Sequence, residues 1–222
     1  MIKKTPEQIA GRREEIVNAC EKLYGTMSFK DITIRDIGNE VPFSRPTIYN
    51  YFETKEEIFL TLFAREYDRW NEDLSAILEG HDALSPEELA RAVAGSLAKR
   101  EQLLKLLSMN NYDMEANSRQ EMLTAFKSSY GASLQLIRAL LLKFRPEMTG
   151  EDIENFIYLF FPFMFGIYPY AAVTEKQREA MREAGVDFTY RTVYDLTYGC
   201  LILLLGGHSQ ADGSDLQERS TN

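Results

Sequence analysis

Cysteine and histidine are scarce in this chain of 222 residues, which has two of each. Cys20 and Cys200 lie far apart in segments with the apolar spacing of helices, so we expect two free, buried thiols rather than a disulfide. The sequence also lacks a His/Glu pattern at metal-ligand spacing, a phosphate-binding glycine loop and a serine elbow. We therefore expect no catalysis, no metal and no other cofactor.

Long runs without charge are few, and the most apolar of them is residues 156–173, FIYLFFPFMFGIYPYAAV. Its 18 residues reach the lower limit for a membrane span, but Pro162, Gly166 and Pro169 interrupt it and no Lys/Arg cluster flanks it. We expect a helix buried on two sides instead, and no membrane. The N-terminus has no apolar run of the signal-peptide kind, which predicts a cytoplasmic protein.

Positive charge is in the minority, because the net charge is −9. Residues 1–55 carry nine Lys/Arg against eight Asp/Glu, or +1, whereas the remainder carries 16 against 26, or −10. A nucleic-acid interface is therefore compatible only with the first quarter of the chain, and we expect its non-specific affinity to be modest. No segment alternates as a strand does, and capping boxes recur along the chain, so the sequence predicts an all-α fold.

Two short helices are predicted between Thr33 and Tyr51. Thr33 and Asp36 have the spacing of a capping box, and Pro42 ends the helix that they open. Ser44 is placed to cap a second helix, from Arg45 to about Tyr51. Such a pair is typical of a helix-turn-helix, whose second helix enters the DNA major groove. Its exposed side would carry hydrogen-bond donors: Arg45, Thr47, Tyr49, Asn50 and Tyr51.

The run TIRDIG…FSRPTIYNYFETKEEI resembles the DNA-binding segment of the TetR family of bacterial transcriptional repressors. Thr33 matches the family's opening threonine, residues 47–52 match its Thr-hydrophobic-Tyr-x-x-Phe pattern, and Lys55 matches the lysine that opens a long fourth helix. Pro42 departs from the family, which usually has a small residue there, often glycine. Proline cannot adopt a positive φ, so this turn must be built differently.

The resemblance implies three parts. Residues 1–55 would form a three-helix DNA-binding helix-turn-helix domain, and a long helix would join it to a helical ligand-binding and dimerisation domain at residues 56–206. Residues 207–222 are polar, and we expect a disordered tail there. The function implied is that of a ligand-responsive transcriptional regulator, in the first instance a repressor.

Arg45 is the first candidate for reading bases, because a guanidinium pairs bidentately with guanine, and Arg35 is the second. Thr47 and Asn50 are further candidates for base contacts, while the family pattern assigns phosphate contacts to Thr33, Tyr49, Tyr51 and Lys55. The predicted DNA-binding set is Thr33, Arg35, Ser44, Arg45, Pro46, Thr47, Tyr49, Asn50, Tyr51 and Lys55.

The resemblance also implies a pocket for a small apolar or aromatic effector, and we select Trp70, Tyr112, Phe126 and Tyr158 as its lining. A homodimer through the 156–173 helix and the last helix would present two recognition helices to a palindromic double-stranded operator. Two alternatives stay open. One is a helical adaptor protein whose helix-turn-helix no longer binds DNA, and the other is a small-molecule-binding enzyme.

Overall fold

The structure, a computed structural model, describes residues 5–109 and 111–206; the predicted tail at 207–222 lies outside these ranges. Within them the chain is helical and contains no strand, so the all-α prediction is confirmed. The helices are α1 (Pro6–Tyr24), α2 (Ile34–Asn39), α3 (Arg45–Ile48), α4 (Lys55–Gly80), α5 (Pro86–Ala98), α6 (Glu101–Leu107), α7 (Asn111–Ala116), α8 (Gln120–Phe144), α9 (Gly150–Ala171), α10 (Glu175–Glu183) and α11 (Val193–Gly206).

Helices α1 to α3 form a small unit, here called the head. α1 starts with a capping box between Thr5 and Gln8, as its sequence predicts. α2 starts with the predicted box between Thr33 and Asp36. The head's core is made of fully buried side chains, among them Ile16, Cys20, Ile32, Ile37, Ile48 and Phe52.

The turn between α2 and α3 contains Pro42 and no residue with positive φ. The chain therefore makes this turn without the left-handed conformation that glycine supplies. Gly38 lies where the two helices approach each other, because a Cβ there would be 3.5 Å from the Cβ of Arg45 and 3.6 Å from Cδ1 of Ile48.

α3 is shorter than its sequence predicts, since only Arg45–Ile48 is helical. Residues 49–51 continue as turns, in which the N–H groups of Tyr51 and Phe52 both donate to the carbonyl of Ile48. Ser44 occupies the N-cap position, but its hydroxyl makes no capping hydrogen bond and instead lies 3.1 Å from the hydroxyl of Thr47.

α4 joins the head to the other helices, which we call the body (α5–α11). Its 26 residues correspond to about 39 Å. The hydroxyl of Thr54 accepts from the N–H of Glu57, which is half of the predicted capping box. The other half is replaced, because the Glu57 carboxylate accepts from the N–H of Glu53, at 2.8 Å.

α4 packs mainly on α8 of the body. Within the body, α5 packs on α11, and α9 contacts α6, α8 and α11. The capping boxes at Ser85, Thr149 and Thr174 open α5, α9 and α10 as their sequences predict. Gly185, which has φ +65°, ends the turn after α10.

The sequence of the body predicts three local features that the structure contradicts: a polar break without a helix at residues 110–117, a helix start capped by Ser118, and a last helix that begins near Asp187. The polar segment 110–117 contains a short helix, α7, rather than only a break. α8 is capped by Arg119 and not by Ser118, whose hydroxyl donates to the Met114 carbonyl instead. α11 begins at Val193 rather than near Asp187, and Thr192 and Asp195 exchange the hydrogen bonds at its start.

Both cysteines are free, as predicted, but only Cys20 is buried and Cys200 is half-buried. Burial raises the pKa of Cys20 to about 12 and that of Cys200 to about 11.

An exposed apolar surface runs over α9 and α11. Tyr158, Leu159 and Phe165 of α9 are exposed, and so are Gly199 and Leu203 of α11, with Leu203 at 77%. The opposite sides of both helices are buried, for example at Phe160 and Leu201. In the described part of the chain, no single helix is long and apolar enough to cross a membrane, although α9 and α10 together, bent by 83°, meet the length and composition test.

Candidate functional site

The outer surface of α3 and of the turn after it carries most of the predicted DNA-reading side chains. Arg45, Pro46 and Asn50 are exposed, Tyr49 is 47% exposed and Thr47 is partly so. On α2, Arg35 is exposed as well. Because Ile48 points into the head's core, α3 has a defined orientation with these donors on its outer side.

Tyr51 does not belong to this surface, and its prediction as an exposed donor is wrong. Its residue is only 7% exposed. Since α3 ends at Ile48, the following turns direct residues 51 and 52 into the core rather than along a helix face. The carbonyl of Tyr51 accepts from Arg119, at 3.3 Å, and from Arg13, at 3.5 Å.

Two residues with predicted phosphate contacts already have partners in the protein. The ammonium of Lys55 donates to the carbonyls of Phe29 and Ile32, at 2.8 and 3.1 Å, and lies 4.3 Å from the centre of the Phe29 ring. One of its three N–H donors remains for a phosphate. Thr33 uses both its backbone N–H and its hydroxyl in the capping box with Asp36, so both of its donors are engaged there.

A cavity of about 510 Å³ lies in the body, between α4, α6, α7, α8 and α9. Its walls are mostly apolar and aromatic. The residues that line it are Phe63, Tyr67, Leu107, Met109, Tyr112, Glu115, Phe126, Lys127, Tyr130 and Phe165.

Of the four predicted effector contacts, Tyr112 and Phe126 line the cavity, whereas Trp70 and Tyr158 do not. Trp70 is fully buried, its indole N–H donates to the hydroxyl of Ser96, and its ring packs edge-on against Phe161. Tyr158 is 74% exposed on the outer side of α9. Periodicity places a side chain on the apolar side of its helix, but it does not indicate which neighbouring helices leave a void.

Stacked and edge-on rings form one wall of the cavity. The rings of Phe63 and Phe126 are 4.7 Å apart, those of Phe63 and Tyr67 are 5.3 Å apart and stacked, and Tyr130 meets Tyr67 edge-on. Burial raises the pKa of Tyr67 and of Tyr130, so both phenols are neutral and add polarity without charge.

The charged groups that line the cavity are Glu115 of α7 and Lys127 of α8, and they form an ion pair at 2.6 Å. Lys127 also lies 5.1 Å from the centre of the Phe126 ring. An exposed pair of this kind contributes little to stability, roughly 0–1 kcal/mol.

Arg119, at the start of α8, connects the body to the head. Its guanidinium makes a bidentate contact with the buried Glu57 carboxylate, at 2.6 and 2.8 Å, and its backbone N–H donates to the same carboxylate at 3.1 Å. The Arg119 guanidinium also donates to the Tyr51 carbonyl, and nearby the Thr54 hydroxyl donates to the Asn117 carbonyl at 2.9 Å. We call this set of contacts the Arg119 clamp.

A second connection runs from α6 to the end of α1. The ammonium of Lys105 donates to the Tyr24 carbonyl at 2.6 Å and lies 4.1 Å from the Tyr24 ring centre. The hydroxyl of Tyr24 lies 3.2 Å from the sulfur of Met109, which lines the cavity. Sequence reasoning missed Lys105, Arg119 and Lys127, because each acts through a partner at least 12 residues away and has no local motif.

Residues 16–62 match the family model described as bacterial regulatory proteins, tetR family, and residues 64–212 match the one described as tetracyclin repressor-like, C-terminal domain. The chain belongs to the TetR family. The predicted resemblance to the family is thus confirmed over most of the chain.

Solved TetR-type structures have the same fold. FadR of Bacillus halodurans is 17% identical, with a TM-score of 0.57 over 94% of this chain and 100% of that one. FadR of Thermus thermophilus, solved with lauroyl-CoA, is 20% identical, with a TM-score of 0.55 over 91% and 97%. FadR of Bacillus subtilis, solved with stearoyl-CoA, is 15% identical, with a TM-score of 0.58 over 88% and 99%.

A curated relative is the HTH-type transcriptional regulator HbdR of Aromatoleum sp. (strain CIB), 28% identical over 75 residues. That match covers 34% of this chain and only 33% of the regulator. The comparisons thus show a TetR-family transcriptional regulator.

Proposed function

We propose that this chain is a ligand-responsive repressor that binds a palindromic DNA operator as a homodimer. The observation that carries the proposal is the exposed set of donors on α3 and the turn after it, at the position where a helix-turn-helix meets the major groove. We place the boundary between the DNA-binding part and the regulatory part at residue 55, where α4 begins.

Arg45 is proposed as the main base reader, since its side chain is exposed and long enough for a bidentate contact with guanine. Arg35, Thr47 and Asn50 supply further contacts to bases. Tyr49 and Lys55 contact phosphates, Lys55 with its remaining N–H. Because residues 1–55 have a net charge of only +1, specificity must come from these directed contacts more than from bulk attraction.

The homodimer is supported by the exposed apolar surface of α9 and α11. The exposed side of these two helices carries Leu203, Tyr158 and Leu159, and their other side is buried against neighbouring helices of the body. An exposed apolar patch of this kind marks an interaction site, and a two-fold contact between identical patches is the commonest arrangement in soluble oligomers. Gly199 adds a point where a partner backbone can approach closely, because a Cβ there would meet nothing within the subunit.

The effector site is proposed to be the 510 Å³ cavity, a size typical of small-molecule pockets. Its aromatic wall favours an apolar or aromatic molecule. The two FadR structures solved with lauroyl-CoA and stearoyl-CoA are precedents on this fold for ligands with a long apolar group. Occupancy changes DNA binding only if the ligand prefers one arrangement of the two heads over the other.

Selection from a pool of randomised duplexes tests this function. We expect the purified chain to enrich a palindromic sequence, and the chain with Arg45→Ala to lose preference at one position in each half-site. The low net charge of residues 1–55, +1, also favours a second candidate, an adaptor protein with a helix-turn-helix that does not bind DNA. Failure to enrich any sequence at low salt would select the adaptor and overturn the repressor.

A further inference from the structure

The short helix α7 lies between the cavity and the head. Tyr112 and Glu115 of α7 line the cavity. Directly after α7, the Asn117 carbonyl accepts from the Thr54 hydroxyl at the start of α4, and Arg119 holds Glu57. One short stretch of chain therefore contacts both the proposed effector and the segment that carries α3 and α4.

The Arg119 clamp satisfies a buried carboxylate that few other groups can reach. Glu57 is fully buried, and its carboxylate is satisfied by the Arg119 guanidinium together with the N–H groups of Glu53 and Arg119. A buried carboxylate that loses such partners is strongly disfavoured, so a displacement of residues 117–119 that weakens these contacts destabilises the start of α4 and the turn after α3.

Among the described residues that line the cavity, Lys127 is the one cation, and it is paired with Glu115 of α7. A ligand anion that replaces the Glu115 carboxylate keeps the number of charge pairs unchanged. The Glu115–Lys127 pair is partly exposed and therefore weak, whereas an anion bound on the cavity side of Lys127 pairs with it next to the aromatic wall, where water screens the charges less. The new pair therefore adds to the affinity that apolar groups gain on the same wall. A neutral ligand of the same shape gains the apolar contacts but leaves the Glu115–Lys127 pair in place.

We propose that the cavity selects an amphipathic effector with an anionic group, and that this group displaces Glu115 from Lys127 and loosens the Arg119 clamp through α7. This inference rests on the proposed function, since it assigns a ligand class and a route of regulation to the same cavity. Arg119 acts here as a positioning residue, because it contacts the head and not the ligand. Occupancy then lowers operator affinity by freeing the turn after α3.

Ligand class is tested without DNA, by calorimetry with two matched pairs of probes: decanoate with decanol, and phenylbutanoate with phenylbutanol. We expect each acid to bind about tenfold more tightly than its alcohol, the size of effect of a hydrogen bond to a charged group. Lys127→Gln should abolish this preference, Lys127→Arg should retain it, and Glu115→Gln should strengthen binding of the acids. Equal binding of acids and alcohols, binding of no probe, or a preference that survives Lys127→Gln would overturn the proposal.

The route is tested by hydrogen exchange in residues 45–57, again without DNA. Decanoate should increase amide exchange there in the wild-type chain, and Glu115→Gln should produce part of this increase without any ligand. In Arg119→Lys, which keeps the charge but loses the bidentate contact, exchange should already be high and respond little to decanoate. If decanoate increased amide exchange by the same amount in wild type and in Arg119→Lys, the proposal that the signal passes through the clamp would be overturned. A chain that passes these tests and binds no DNA would refute the proposed function alone.

Discussion

The guanidinium of Arg119 holds the carboxylate of Glu57 through two hydrogen bonds of 2.6 and 2.8 Å, although 62 residues separate the two in sequence. Burial acts to raise the pKa of Glu57, but the hydrogen bonds from Arg119 and from the N–H groups of Glu53 and Arg119 outweigh it, so the pKa is lowered from its ordinary 4.5. The same contact raises the pKa of Arg119. The ion pair is therefore both a structural tie and a pH-sensitive one.

Glu57→Gln should lower the free energy of unfolding at pH 7 by about 1–3 kcal/mol, because Arg119 then loses its anionic partner. A carboxylate whose folded pKa is lowered contributes stability above its unfolded pKa and loses it as pH falls through the folded value. The difference between wild type and Glu57→Gln should therefore shrink below about pH 4.5. Denaturant titrations at several pH values, with Glu56→Gln as the neighbouring control, measure it; a difference that is constant with pH would contradict the account.

Arg45→Ala should weaken binding to the selected operator by about 1–3 kcal/mol and relax the preference at one base position. The fold should not change, since the Arg45 side chain lies on the exposed surface of α3. Titrations against the operator and a scrambled duplex measure the effect, and the exposed Arg91 of α5 supplies an Arg→Ala control far from the head. Equal losses on both duplexes would reduce Arg45 to a phosphate contact.

Lys55→Ala should have two separate effects. Loss of the hydrogen bonds to Phe29 and Ile32 should reduce stability by about 1–3 kcal/mol. Loss of a phosphate contact should also flatten the dependence of log K on log salt by about one unit, on every duplex. Lys30→Ala, which removes an exposed lysine before α2, is the control: it shows how much of each effect comes simply from the loss of one positive charge. A destabilised variant whose salt slope is unchanged would leave Lys55 a purely structural role.

Leu203→Glu should convert the dimer to a monomer without lowering the stability of the subunit, because this side chain is exposed in the single chain and a charge there is buried only in the dimer. Sedimentation equilibrium measures the change. Ile9→Glu, which places the same charge at an exposed apolar residue of α1, should leave the oligomeric state unaffected. Dimers that persist in Leu203→Glu would remove α11 from the interface.

Local signals in the sequence predicted much of the fold. The boxes opened by Thr5, Thr33, Ser85 and Thr149 each depend on residues three apart, and the structure contains all four. Their energetics are settled within one turn of helix, so distant residues do not alter them. The family signature placed the helix-turn-helix for the same reason, since its residues are contiguous.

Long-range features could not be predicted in this way. Tyr51 was expected on the surface because it continues the α3 pattern, but α3 ends at Ile48 and the turn after it buries Tyr51, whose carbonyl accepts from Arg119, 68 residues away in sequence. Trp70 was expected in the cavity because it lies halfway along the apolar stripe of α4, yet it is fully buried, with its indole N–H on Ser96 and its ring against Phe161. Met109 lines the cavity although it lies in a segment without clear periodicity.

The central claim, that two copies of the head read one operator, is tested most directly by the mass of the complex. Native mass spectrometry of the chain with its selected duplex should give two chains per duplex, and a duplex with only one half-site should bind far more weakly. A stable complex of one chain on the full palindrome, with the same affinity for the half-site, would contradict the account.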